Sequence, residues 1–254
     1  ASFGLAFNMP TYYYREVTRI EESDFDTSTD HLGLSLSDQS TTKGRGINLK
    51  LGTSIKAGNF LRLSAAYQTP TLMWMNTEYS SNIISDSQDW GEFDALQEGF
   101  FDYYYIQPSR IDLGIGIIPN KVLAIGLDYS YQDQNNGRFL SNNSSYTLEN
   151  INTDVSQQLG EVHQYRAGIQ ARLGNLYLRG GASLTTNAFS GSNDFSDVIG
   201  ISGGIGLNKE FGRFDIGLIN LHRSEKTHDY APSLISETRV INETKLVATW
   251  SWRF

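Results

Sequence analysis

The feature that most constrains the fold is a strict alternation of apolar residues with small or polar ones. In the segment 47–56, apolar or branched side chains occupy every second position: Ile47, Leu49, Leu51, Thr53 and Ile55. The intervening positions carry asparagine, lysine, glycine and serine, and the same period of two recurs in 111–117, 123–131 and 165–172. Since successive side chains of a strand point to opposite faces of the sheet, this period predicts β-strands with one apolar face.

Ten such strands are predicted, and their connections alternate in length. The strands are expected to begin near Phe3, Gly46, Phe60, Phe100, Lys121, Val162, Leu176, Val198, Arg213 and Thr238. Short turns are expected at 57–59, 119–121, 173–175 and 210–213, and long polar connections at 21–42, 80–99, 133–160, 187–194 and 230–236. Tight turns on one side and long loops on the other are typical of an outer-membrane β-barrel.

The glycine-rich face of these strands favours a membrane barrel over a soluble β-sandwich. It carries charges of both signs, which suits an enclosed, wet lumen where opposite charges pair. The predicted lumen charges are Arg62, Asp112, Asp128, Arg166, Arg172, Arg179 and Asp215. Together with Arg253, they are expected to cluster near the short-turn end. The apolar face adds tyrosine and tryptophan near strand ends, as an interfacial girdle requires.

The sequence therefore predicts an all-β fold, an antiparallel transmembrane β-barrel that forms a single domain over residues 1–254 in the bacterial outer membrane. The chain has 254 residues, no cysteine and a net charge of −8. The missing cysteines exclude disulfides and thiolate metal sites, and the acidic balance argues against nucleic-acid partners.

Motifs of enzymes and of metal or nucleotide sites are lacking, so no enzymatic activity, catalytic residue, metal site or cofactor is predicted. The acidic segments 21–30 and 86–94 are interpreted as solvated outer loops, with weak calcium binding as the alternative.

Several segments resemble the C-terminal part of FadL-type outer-membrane transporters, most closely the versions found in Bacteroidetes. They are GINLKLG (46–52), NFLRLSAAYQTPT (59–71), PSRIDLGIGI (108–117), YRAGIQARLGNLYLRGG (165–181) and TWSWRF (249–254). The last of these alternates aromatics up to Phe254, like the assembly signal of bacterial outer-membrane proteins.

The resemblance implies a fourteen-stranded barrel with an N-terminal plug that carries hydrophobic compounds, such as long-chain fatty acids, inward. Ten strands and no plug are visible here, so the chain is expected to correspond to the last ten strands. A smaller closed barrel is the alternative, because ten is an even number.

Three prolines interrupt predicted strands, and they are the candidate gate. Pro10, Pro70 and Pro108 each remove a backbone donor, and a gap in a barrel wall requires broken ladder bonds. The resemblance implies sideways release of substrate through such a gap. The alternative is that the prolines lie where strands leave the bilayer. Pro10 and Pro70 are expected to bend their strands at similar heights and to shape the outer mouth.

Apolar residues beyond the prolines are the predicted ligand contacts: Tyr14, Met73, Trp74, Met75, Phe100 and Phe101. Aromatic rings and flexible methionines make an adaptable surface for an apolar molecule, although an upper aromatic girdle would use the same residue types. Expected partners are membrane lipids or detergent, a hydrophobic small molecule and other outer-membrane proteins. The competing hypothesis is a structural barrel subunit of a larger assembly that transports nothing.

Overall fold

The computed structural model describes residues 1–23, 31–87, 91–141, 148–191, 194–209, 212–228 and 236–252. The first seven strand segments are β1 Ser2–Asn8, β2 Thr11–Ser23, β3 His31–Ala57, β4 Leu61–Gln68, β5 Thr71–Ser87, β6 Gly91–Gln107 and β7 Arg110–Ile117. The second seven are β8 Leu123–Asp133, β9 Arg138–Ser141, β10 Glu161–Leu173, β11 Leu176–Thr185, β12 Val198–Lys209, β13 Gly212–His228 and β14 Ser236–Trp252. A 3₁₀ helix spans Gln134–Asn136, and the helix α1 spans Glu149–Gln158.

Every pair of neighbouring strands is antiparallel, and the fourteen segments follow ten courses across the sheet. The courses interrupted along their length are β1–β2, β4–β5, β6–β7 and β8–β9, whereas β3 runs unbroken beside both halves of its neighbours. The described residues therefore confirm the prediction of an all-β fold, an antiparallel sheet of ten courses that fits the wall of a β-barrel. Within this part of the chain, the structure has no helix of the length and apolarity needed to cross a membrane.

The pairing registers sort the side chains onto two faces. Lys50 lies opposite Gln68, Asp112 opposite Ser130, and Arg179 opposite Gly204, so one continuous inner face carries the glycines and charges. All seven predicted lumen charges lie on this face. The aliphatic residues lie on the other face and are exposed, as at Leu51, Leu127 and Ile201. The aliphatic residues are not packed between two sheets, as a sandwich would require.

The sheet has two outer edges in the described part of the chain. One edge is the course β1–β2, which pairs with β3, and the other is β14, which pairs with β13; no ladder joins β14 to β1 or β2. Inside hydrocarbon, the free backbone groups of such edges need hydrogen-bond partners.

Two of the predicted strand boundaries are wrong because strands extend far beyond the apolar band. β3 begins at His31 and not near Gly46, and β6 begins at Gly91 and not near Phe100. Much of the predicted loops 21–42 and 80–99 is consequently strand, although residues 24–30 and 88–90 of the acidic segments lie outside the described residues. Apart from Leu96, these extensions are mostly polar on their outward side, so the regular apolar alternation that reveals a membrane strand is missing from them.

The connection 133–160 also contains more structure than a long polar loop. It holds the 3₁₀ helix, β9 and α1, and the side-chain amide of Asn152 bonds the backbone N–H and C=O of Phe139 at 2.7 and 2.8 Å. The predicted connection 230–236 and the residues Arg253 and Phe254 lie almost entirely outside the described residues.

Replacing lipid-facing Leu127 with Arg is expected to lower the free energy of unfolding from a bilayer by about 2–4 kcal/mol, because its outward side chain would put a charge in hydrocarbon. Replacing the adjacent Gly126 with Arg is the matched control. Gly126 faces inward, and a Cβ atom there would meet nothing within 4 Å. Urea unfolding from lipid vesicles measures both variants, and equal destabilisation would contradict the assignment of the faces.

Candidate functional site

The three prolines interrupt their strands at one level of the wall. Strand pairing stops at Met9–Pro10, at Thr69–Pro70 and at Pro108–Ser109, around residues 46–49 of β3. On the course β4–β5 the interruption is a bulge, because three residues oppose two of β3 between the pairs Gln68–Lys50 and Leu72–Ile47. Pro10 and Pro70 therefore lie at similar heights, and the bending of their strands around the outer mouth stays a prediction.

The seams on both sides of β3 stay closed at this level. The amide of Gly46 donates to the carbonyl of Pro10 at 2.8 Å, and the amide of Thr69 donates to the carbonyl of Leu49 at 2.9 Å. The Thr69 hydroxyl accepts a further bond from the Leu49 amide at 3.1 Å. The wall beside Pro10 therefore has no gap at the seam with β3.

The next seam, between the courses β4–β5 and β6–β7, is not closed in this way. The pairs Gln68–Arg110 and Thr71–Gln107 bracket it, so Pro70 lies opposite Pro108, and neither proline has an N–H to donate. Among the described residues, no backbone hydrogen bond joins Thr69 or Pro70 to Pro108 or Ser109. The carbonyl of Pro108 instead accepts from the side-chain amide of Gln132 at 2.8 Å. We call this stretch, Thr69–Pro70 facing Pro108–Ser109, the proline seam.

A row of sulfur and aromatic side chains lies on the inner face directly above the proline seam. Met73 and Met75 of β5 are buried, at 7% and 8% exposure. Beside them an aromatic chain runs through Tyr79, Phe101, Tyr103, Phe139 and Tyr105, with consecutive ring centroids 4.7–6.4 Å apart. We call these seven residues the aromatic–methionine face.

The methionines are held in place by glycines of β3. The sulfur of Met75 occupies the space that a Cβ of Gly44 would need, and a Cβ at Gly46 would lie 2.9 Å from Cγ of Met73. Because Gly44 and Gly46 have no side chains, the long, flexible side chains of Met75 and Met73 can lie flat against the backbone of β3. The remaining surface of the face is aromatic.

The predicted ligand contacts divide between two faces. Met73, Met75 and Phe101 belong to the aromatic–methionine face, and Tyr14 lies on the same inner side of the edge segment β2. Trp74 and Phe100 point outward, at 42% and 75% exposure, so a molecule resting on Met73 does not touch Phe100. Trp74 packs edge-on against Tyr104 at 6.5 Å, which is the arrangement of an interfacial girdle.

Directly below the proline seam, a network of charged residues crosses the inner face. The carboxylate of Asp112 accepts from Lys50, Arg110 and Ser130, each at 2.7 Å. The Ser130 hydroxyl also accepts from Arg110 at 3.0 Å and from Arg166 at 3.1 Å. We call Lys50, Arg110, Asp112, Ser130 and Arg166 the upper charge cluster, which places a polar barrier beneath an apolar face.

A second network lies near the short-turn end. Arg179 and Arg213 pair with Asp215 at 2.6 and 2.8 Å, and the guanidinium groups of Arg172, Arg179 and Arg213 lie 5.6, 5.7 and 4.8 Å from the ring centre of Tyr177. The expectation of one cluster at the short-turn end is therefore wrong, because strand stagger places Asp112 and Arg166 higher in the wall. Asp128 faces inward directly opposite Arg166 of the upper charge cluster, and Arg62 faces inward opposite Lys56 beside a short turn.

The inner face also lines a cavity of about 780 Å³ beside the two clusters. Its wall includes Gly168, Gly181, Gly204 and Gly217, whose missing side chains make the room. This volume lies within the range of small-molecule sites. Across the described ranges, no group of three or more histidine, aspartate or glutamate side chains is arranged to hold a metal ion.

Tyr79, Tyr103, Tyr105 and Phe139 belong to the aromatic–methionine face but were not predicted as ligand contacts. The signal for Tyr103 and Tyr105 was present, since they alternate with Phe101 in the run FFDYYY. Phe139 could not be placed, because it reaches Tyr105 through β9, a segment of four residues within a long connection.

Comparisons with known proteins support the fold. No protein-family model matches the sequence, and no curated protein matches it. Among solved structures, a channel described as the CymD monoaromatic hydrocarbon channel is similar with a TM-score of 0.57 and 12% identity, over 99% of this chain and 69% of that one. Two structures of the Pseudomonas putida toluene transporter TodX have TM-scores of 0.45 and 0.44, with 11% and 10% identity. They cover 97% and 99% of this chain and 70% and 88% of theirs.

Replacing Gly46 with Ala is expected to lower the free energy of unfolding by about 1–3 kcal/mol, because the new methyl group would crowd Met73 and lie 3.0 Å from the Leu72 carbonyl oxygen. The same change at Gly52 is the control, since the nearest atom there lies at an ordinary 3.6 Å. Denaturant unfolding in detergent compares the two, and a stable Gly46→Ala variant would show that the methionines do not depend on the glycine.

Proposed function

We propose that this chain forms the wall of an outer-membrane passive transporter for hydrophobic compounds and has no enzymatic activity. The proposed ligands are apolar molecules such as long-chain fatty acids or small aromatic hydrocarbons. A lipid-facing aliphatic wall and a fold like that of the CymD channel support the location and the general class. The closer likeness to Bacteroidetes members of the FadL-type family remains a prediction.

The observation that carries the proposal is the vertical order of the inner surface. An apolar molecule entering from the long-connection end first meets the aromatic–methionine face, where the rings of Phe101, Tyr103 and Phe139 offer apolar contact with few polar groups to desolvate. It next meets the upper charge cluster, whose paired ions and hydroxyl are costly for an apolar molecule to cross. For an apolar molecule at this level, a sideways path through the wall therefore costs less free energy than a path down the lumen.

The proline seam is the proposed sideways exit. It lies between the two surfaces, and its four residues have no backbone bonds across it. A hydrophobic molecule that leaves through the wall at this level enters the bilayer at the boundary between headgroups and hydrocarbon, and it does not have to cross the charge network below. This assigns the gating role to Pro70 and Pro108, whereas Pro10 lies beside a closed seam.

A structural role in a larger assembly is the second candidate. The two unpaired edges of the described sheet and the second charge network, around Asp215, favour it, because edges invite partner strands and paired charges fill a lumen. The two candidates differ in one property, which is whether the apolar inner face binds a small molecule.

Replacing Phe101 and Tyr103 together with Ser is expected to weaken binding of a fluorescent fatty acid or an alkylbenzene about tenfold, since two inner rings are lost. Replacing the neighbouring Phe100 with Ser is the control, because its ring points outward. Fluorescence titration of the detergent-solubilised protein measures both. No binding by the parent chain would favour the structural role, and equal losses would place the contact on the outer surface.

Closing the proline seam with a disulfide is expected to stop uptake and leave binding intact. Thr69→Cys with Ser109→Cys brings two thiols to facing positions, and the chain has no other cysteine. Leu63→Cys with Ile115→Cys is the control, because it links the same two courses where the ladder is continuous. Uptake into proteoliposomes is compared before and after reduction. Uptake unaffected by the Thr69–Ser109 link would rule out this exit.

A further inference from the structure

The outward side of β3 changes from aliphatic to basic at a single level. Ile47, Leu49 and Leu51 are exposed apolar residues of the membrane band, and the next two outward positions above them are Arg45 and Lys43. The stretch from Ile47 to Ile55 is nine residues, about the length that crosses a bilayer. Arg45 and Lys43 therefore lie at the height where lipid headgroups begin.

The neighbouring segment β2 adds a third cation. Arg15 lies opposite Thr41, the position that follows Lys43 on the same outward side of β3. Side chains two residues apart on a strand are roughly 7 Å apart, and adjacent strands are about 4.8 Å apart. Three long basic side chains can thus converge on one anionic group. We call Arg15, Lys43 and Arg45 the basic triad.

Two carboxylates, Glu78 and Asp102, lie beside the three cations of the triad on the outward side. Asp102 lies opposite Asn76, the partner of Lys43. Lys43 lies 3.9 Å from Glu78, and both side chains are more than half exposed. Arg15 donates to the side-chain oxygen of Gln39 at 3.0 Å, and no carboxylate pairs with Arg15 or Arg45 within the described ranges. Glu16 points to the inner side of β2. The triad therefore carries an excess of positive charge toward the surroundings.

Aromatic residues frame the triad at the same height. Trp74 lies opposite Arg45, and Tyr13 lies opposite Lys43 on the other flank. Tryptophan and tyrosine of this kind mark the interface between hydrocarbon and headgroups. Below them, an outward groove of about 710 Å³ is lined by Phe3, Leu5, Leu51, Tyr67 and Ile111, among others. A basic site thus continues downward into an apolar one.

We propose that the basic triad binds the anionic phosphate headgroup of a membrane lipid in the leaflet at the long-connection end, with an acyl chain lying along Ile47 and Leu49 into the groove. Guanidinium groups suit phosphate because they donate paired hydrogen bonds in a fixed plane. The apolar groove favours a lipid over free phosphate, which has no use for it. The site lies on the outer wall, so it is independent of the transport proposal.

Native mass spectrometry of the whole detergent-solubilised chain tests the site, with phosphatidylglycerol and phosphatidylcholine of identical acyl chains as probes. The parent chain is expected to retain phosphatidylglycerol preferentially. Arg15→Gln with Arg45→Gln is expected to lower that preference about tenfold. The control is Arg19→Gln with Lys226→Gln, which removes the same number of outward charges higher above the apolar band.

Three results would overturn the proposal. They are equal retention of the two lipids by the parent chain, an equal loss of preference in both double variants, and displacement of phosphatidylglycerol by inorganic phosphate at the same concentration. Far-UV circular dichroism and heat-dependent gel mobility confirm that each variant is folded. A variant that fails this check is replaced by the single change Arg45→Gln, for which a roughly threefold loss is expected.

Discussion

The rest of this structure depends on the need to pair every backbone N–H and C=O group within hydrocarbon. Inside the apolar band the ladders run without interruption, and the registers hold from β10 through β14. The interruptions gather at the level of Pro10, Pro70 and Pro108, where the aliphatic outward side gives way to Trp74 and Arg45. Water and headgroups can satisfy free groups there, so broken ladders are tolerated at the rim and not below it.

This constraint explains why strand breaks at the rim cost little stability and can also provide a path for a ligand. Prolines at the rim cost little stability, and two of them facing each other across one seam remove donors from both sides at once. The inner surface changes character at the same height, from the aromatic–methionine face above to the charge network around Asp112 below. A ligand path that turns at the rim follows from these two features together.

Much of the wall could be predicted from the sequence, because period-two alternation is a local signal that short segments such as 47–55 and 111–117 contain within themselves. The continuation of β3 up to His31 could not, since strands above the bilayer are polar on their outward side. Met73 and Phe100 were both predicted as ligand contacts, but they lie on opposite faces of the sheet. Assigning them to faces requires the register between β5 and β6, which is a pairing between two segments. The convergence of Lys50, Arg110 and Arg166 on Asp112 and Ser130 required the stagger of four courses, which no single segment encodes.

In this fold the aliphatic side of each strand is assigned to lipid and the glycine-and-charge side to an aqueous lumen. Because the chain has no cysteine, single spin labels can be placed without background along residues 123–131 of β8. Electron paramagnetic resonance in bilayers then measures the accessibility of each label to oxygen, which dissolves in lipid, and to a water-soluble nickel chelate. Oxygen accessibility is expected to be highest at the odd positions and nickel accessibility at the even ones. Uniform accessibility, or the opposite phase, would contradict this assignment.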